Sequence, residues 1–210
     1  MEAIFFVVIL LFSVVLHELA HGFVAQALGD PTAKREGRLT LNPISHIDLV
    51  GSILVPLFMY IVGSATGGRG VIFGWARPVP VNPSYFKDSR LGMLKVALAG
   101  PLSNLAIAGM FALLVRFGIR YFPEFAPLYG VFVSIAHINI VLAVFNLIPL
   151  PPLDGSHVLF GFLPASFDRV RAFLTTYGFI ILVFILFSPF NFISPLVSLV
   201  SRFLIGSLVF

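Results

Sequence analysis

The chain has 210 residues, of which 59% are hydrophobic and only 10% charged, and it contains no cysteine. That composition lies far outside the soluble range and excludes disulfides and any thiolate metal site. The formal net charge of +4 sits in short loops without a basic stripe or interleaved stacking aromatics, so it reads as an orientation signal and not as a nucleic-acid surface.

Apolar runs cover residues 3–28, 47–64, 91–119, 128–150, 172–187 and 190–210. Since about 20 residues cross the hydrocarbon, they predict an all-α integral membrane protein, a multi-pass helical bundle of about four to six spans. The length suits one domain over 1–210, with a motif-bearing core at 1–165 and C-terminal hydrophobic helices at 170–210. Glu2, with no Lys or Arg before the first run, argues for a retained first helix and against a cleaved signal.

The first run holds His17, Glu18 and His21, in a stretch whose other polar residues are Ser13 and Gln26. Each ionisable side chain near the centre of a membrane helix costs about 2.5 to 3.5 kcal/mol on insertion scales, so something must compensate. Positions i and i+4 share a helix face, which lets His17 and His21 direct imidazole nitrogens at one ion with Glu18 beside them. Neutral imidazoles are good zinc ligands, and a non-ligating carboxylate can take a proton from a zinc-activated water. A chance HExxH is common on solvated helices, but solvation does not excuse these groups in lipid.

Lys34, Arg35 and Arg38 follow closely and place that loop in the cytoplasm by the positive-inside tendency. Arg77, Lys87 and Arg90 agree, whereas Arg116 and Arg120 oppose the assignment. In the second run, Gly51, Pro56 and Gly63 suit a bent or re-entrant segment. Residues 71–82, with Gly74, Pro78 and Pro80, read as extended chain. This stretch is either an edge that holds an unwound substrate, with Phe73 and Trp75 in its wall, or a loop packed at headgroup level. His46 with Asp48, and His137 with Asn139, read as polar contacts at span ends or between helices.

In the run at 91–119, Pro101 as a proline at the start of a helix, Gly100 and the small residues Ala99, Ser103 and Ala106 read as ordinary devices for packing spans, and Asn104 reads as structural support. The helix arriving through 128–150 is broken by Pro149, Pro151 and Pro152 just before Asp154. A catalytic zinc takes three protein ligands, and irregular backbone at membrane depth is tolerated only in protein or beside a watery cavity; Asp154 is therefore the candidate third ligand. His157, three residues on, is the alternative. Asn146 suits either an oxyanion donor, a role worth about 2.7 to 4 kcal/mol, or an interhelical hydrogen bond. If Asp154 is to meet the histidines at one depth, the first helix and the 128–150 helix run parallel and the 91–119 helix antiparallel. A single crossing by 47–64 would break that parity.

Together, His17-Glu18-Leu19-Ala20-His21, Ala99-Gly-Pro-Leu-Ser-Asn104 and Asn146 through Gly155 resemble, in order, the motifs of the site-2 protease family of intramembrane zinc metalloproteases. Gly37 to Pro43 and Phe73 to Asn82 are similar to stretches in its compact prokaryotic members. The resemblance implies His17, His21 and Asp154 as ligands of about one zinc per chain, Glu18 as general acid/base, and Asn146 as a group that holds the substrate carbonyl. It also implies a transmembrane protein substrate in the lipid bilayer, a cell-membrane location with the site near the cytoplasmic leaflet, and regulated proteolysis. No loop accommodates an added globular module, so selection falls to the membrane core, an accessory membrane protein or prior trimming. The competing readings are a membrane zinc transporter, a metal-binding scaffold without activity, and a prenyl-protein protease.

Overall fold

The computed structural model describes residues 2–55, 58, 61, 74–187 and 192–206. Helix α1 spans Glu2–Ala27 and stops at Gly29, whose φ of +105° is open to glycine at little cost. Asp30 then accepts the Thr32 N–H at 2.9 Å at the entry to the short helix α2, Thr32–Arg35. A 3-10 turn at Pro43–His46 and a π-helical turn at Leu49–Leu54 follow. After the irregular chain from 74 to 82, Asp88 caps helix α3, Ser89–Tyr121, by accepting from the N–H groups of Arg90 and Leu91. Helices α4 (Ala126–Asn146), α5 (Asp154–Phe162), α6 (Asp168–Phe187) and α7 (Ile193–Leu204) complete the element order. No strand occurs among the described residues.

Four helical stretches are long and apolar enough to cross a membrane: Ile4–Ala27, Ser89–Tyr121, Pro123–Asn146 and Asp168–Leu186. Among the described residues, the run at 190–210 forms the 12-residue α7, shorter than the length a crossing needs. Instead α7 buries Val197 and, just past its end, Ile205 against Ala108 and Ala112 of α3 and Ala136 and Ile140 of α4. Small side chains at that seam let the helices approach closely.

Contacts fix the helix directions. Ser13 of α1 meets Asn104 and His21 meets Val96, so α3 runs against α1; Gly118 of α3 meets Tyr129 and Asn104 meets Asn139, so α3 also runs against α4. α1 and α4 are therefore parallel, as parity requires. The chain between α1 and α3 begins and ends at one end of the bundle. The Arg77 N–H donates to the His46 carbonyl at 2.9 Å, and the Trp75 N–H to the Gly51 carbonyl at 3.1 Å. The two flanks of 52–74 thus lie side by side. Pro56, Gly63 and Phe73, on which parts of the sequence reading rested, lie outside the described residues.

Pro101 stands inside α3 rather than at the start of a helix. Lacking an N–H, it leaves the carbonyl of Ala97 without its usual helical donor, on a stretch of α3 that faces the cavity described next.

Candidate active site

One atom from each of three residues converges inside the bundle. His17 Nε2 lies 3.0 Å and His21 Nε2 3.2 Å from Asp154 Oδ2, and the two Nε2 atoms are 3.0 Å apart. Both histidines are buried. Among the described residues, this is the group of metal-ligating side chains that comes together. Helix periodicity places the two imidazoles on one face of α1, and a turn built from prolines places the carboxylate. Gly155 packs directly on that turn: a Cβ there would stand 2.3 Å from the Leu147 carbonyl oxygen and 2.4 Å from that of Ile148. Gly178 of α6 likewise lies against Pro151, so α6 backs the turn that presents Asp154.

The far side of each ring decides its tautomer. His21 Nδ1 is 2.7 Å from the Val96 carbonyl oxygen, which only accepts, so Nδ1 carries the proton and donates. His17 Nδ1 is 2.6 Å from Asn104 Oδ1; the amide nitrogen of Asn104 is committed to Asn139 Oδ1 at 2.8 Å, which fixes its orientation. Asn139 in turn donates to Ser13 Oγ at 2.9 Å and to the Ile135 carbonyl. With both Nδ1 atoms protonated, both Nε2 lone pairs face each other and the carboxylate. Asp154 Oδ2 is buried without a hydrogen-bond donor. Three acceptors this close repel unless a cation sits among them, and two imidazoles plus a carboxylate, each ring held by an oxygen behind it, suit zinc. Gly100 completes the cradle: a Cβ there would lie 2.5 Å from His17 Cε1 and His21 Nε2.

Glu18, half-buried on the same turn of α1, directs Oε2 to the backbone N–H of Val79 at 2.8 Å. It does not join the three converging atoms. A cavity of about 730 Å³ opens over the cluster, lined by Glu18, Asn146, His157, Trp75 and Val79 as well as by the three candidate ligands. Asn146, at the end of α4, gives one amide hydrogen to the Leu142 carbonyl at 3.0 Å and keeps a second for the cavity.

The profile of "Peptidase family M50" matches residues 124–186, which carry Asn146 and Asp154. The "Putative zinc metalloprotease YwhC" of Bacillus subtilis (strain 168) is 42% identical over 193 residues, covering 88% of this chain and 81% of that protein. The chain belongs to peptidase family M50, the site-2 protease family. The "Putative zinc metalloprotease Rip2" of Mycolicibacterium smegmatis is 29% identical over 179 residues, 85% of this chain and 65% of the relative. "Zinc metalloprotease MJ0392" of Methanocaldococcus jannaschii is 28% identical over 165 residues, 79% of this chain but 36% of that protein. No solved structure matches the chain. This M50 protein is thus a zinc metalloprotease housed in a membrane.

Within the M50 site, all five residues singled out from sequence, His17, Glu18, His21, Asn146 and Asp154, line one cavity. His157 lines it too but stays outside the three-atom cluster. His46 donates to its own loop: Nε2 lies 2.9 Å from the Thr40 carbonyl oxygen, which only accepts. Asp48 accepts the Gly51 N–H at 2.6 Å. Both are local polar contacts, as anticipated. Asn104 supports the fold as expected, yet its oxygen also sets the His17 tautomer. The Val79 N–H and the Cβ-free face of Gly100 were invisible as site components, because a backbone amide and a missing methyl carry no chemical label in a sequence.

Proposed function

We propose that this M50 protease hydrolyses a peptide bond in or beside a transmembrane segment of a membrane-protein substrate, as a step in regulated proteolysis. One observation carries the reading: three acceptor atoms that suit zinc, with a carboxylate beside them, face a cavity of about 730 Å³ between helices of membrane-spanning length. His17, His21 and Asp154 would hold the zinc, which when bound polarises a carbonyl and makes water a nucleophile near neutral pH. Glu18 takes the water proton and returns it to the leaving amide nitrogen. The spare amide hydrogen of Asn146 meets the charge that grows on the carbonyl oxygen. A helical substrate hides its carbonyls in its own hydrogen bonds, so it must unwind beside the irregular chain at 74–82, whose Trp75, Ala76 and Val79 line the cavity. Lys34, Arg35, Arg77, Lys87 and Arg90 flank the site end of the bundle and support a cell-membrane orientation with the site near the cytoplasmic leaflet.

The test compares purified wild type with Glu18→Gln for zinc content and for cleavage of a fluorescently tagged single-span helix. About one zinc per chain in both, with cleavage in wild type alone, supports the reading. Equal cleavage in both removes Glu18 as the base, and absence of zinc from both removes the ligand set. Zinc flux into vesicles without cleavage would favour a transporter.

A further inference from the structure

Pro78 and Pro80 have no N–H, so Val79 carries the lone backbone donor of the Pro78-Val79-Pro80 stretch, and that donor is spent on Glu18 Oε2 at 2.8 Å. What holds Pro78-Val79-Pro80 in that position is Arg38. Arg38 is 6% exposed, and its Nη2 donates to the carbonyl of Arg77 at 2.8 Å and to that of Pro78 at 3.3 Å, the two acceptors immediately before the Val79 N–H. The Arg77 N–H is tied to His46, and the Asn82 N–H to Asp30 Oδ2 at 2.6 Å. Arg38 makes no ion pair among the described residues, and its Nε is buried without a partner. Burying a guanidinium is costly unless it is paired or hydrogen-bonded; here two carbonyls accept from it, and the Glu18 and Glu36 carboxylates act on it at longer range.

We infer that Arg38 is a positioning residue for the general base: through Pro78 and Val79 it holds the one N–H that orients the Glu18 carboxylate. Oε2 is pinned by Val79, which leaves Oε1 as the oxygen that receives the proton. The segment that pins the base also forms the cavity wall through Trp75 and Ala76, so a substrate seated against that wall presses on the element that aims Glu18. This inference rests on Glu18 acting as the base.

The experiment measures kcat and KM for the tagged single-span helix with the full chain in micelles, zinc content being checked for every variant. Arg38→Gln is expected to lower kcat about tenfold to a hundredfold, the scale of a misplacement near 1 Å, with KM within about twofold and zinc unchanged. Arg38→Lys, which keeps the charge and one donor, recovers part of the loss. In the Glu18→Asp background, where the carboxylate is one methylene too short to keep the Val79 contact, Arg38→Gln adds less than about twofold. An unchanged kcat, a change confined to KM, or an equal penalty in both backgrounds overturns the inference. If Arg38→Gln fails to fold, replacing the Val79 amide by an ester deletes the N–H while keeping Arg38 and the side chain; loss of kcat then supports the proposal and full kcat overturns it. Full cleavage by Glu18→Gln would instead sink the base assignment itself, whereas inactive Glu18→Gln beside fully active Arg38→Gln sinks only the role of Arg38.

Discussion

Two polar networks meet α1 less than two turns apart, and they are built from different materials. The inner one, Ser13–Asn139–Asn104–His17, links side chains of three helices, with Asn104 and Asn139 fully buried. The outer one, made of Glu18–Val79, Arg38–Pro78 and Asp30–Asn82, joins charged side chains to the backbone of the irregular chain at 74–82. Helices satisfy their own backbone, so in lipid they meet each other through side chains. Irregular chain has free N–H and carbonyl groups and must find partners for them. The candidate ligands are thus held by rigid packing and the candidate base by a segment that also faces the cavity, which makes metal binding and turnover separable.

Substitutions on the two sides sharpen or break that separation. The largest effect is expected from Asp154→Asn, which leaves the two Nε2 atoms without the anion: zinc should fall from about one per chain to near none on dialysis against a mild chelator, and cleavage with it. Retained zinc would reject the three-atom site. Next comes Asn146→Ala, expected to lower kcat about a hundredfold to a thousandfold with zinc retained; a parallel loss of zinc would place Asn146 on the ligand side instead. Asn104→Ala removes the acceptor behind His17 and should weaken zinc about tenfold to a hundredfold, read by competition with a chromophoric chelator. If zinc affinity holds while kcat drops, the inner network serves turnover and the contrast fails.

The smallest effect concerns Asp30. Burial alone pushes its carboxyl up, but the Thr32 hydroxyl, the N–H groups of Asn82 and Thr32 and the nearby Arg35 outweigh it, so its folded pKa lies below the ordinary value. A depressed folded pKa contributes stability above the unfolded value, about 3.9, and that contribution is lost as pH falls through the lower folded value. Asp30→Asn should therefore lower thermal stability at pH 7 by about 1 to 3 kcal/mol and lose the difference from wild type in acid. A gap that persists below the folded pKa would mean that the carboxylate charge is not what fastens Asn82.

Much of the architecture was legible. Hydropathy located the spanning helices because lipid leaves few alternatives for a 20-residue apolar run, and the depth argument from Asp154 gave the parallel α1 and α4 before any contact was known. The run at 190–210 is described only in part, and there the helix covers Ile193–Leu204. Pro101 looked like a helix start and lies mid-helix, because the packing of α3 against α1 and α4 outweighs the one missing hydrogen bond.

By itself the sequence determined which groups can do chemistry and which of them share a face. His17 and His21 stand together on any α-helix because 3.6 residues make a turn, and three prolines end α4 before Asp154 whatever surrounds them. Only the tertiary structure decided what stands behind and beside those groups. That Val96 offers His21 a carbonyl, that Asn104 turns its oxygen to His17, that Gly100 leaves room at both rings and that Val79 spends its N–H on Glu18 all depend on where distant backbone lands. Those partners are chosen by helix packing and chain return, and the identity of a backbone amide is the same at every position in a sequence.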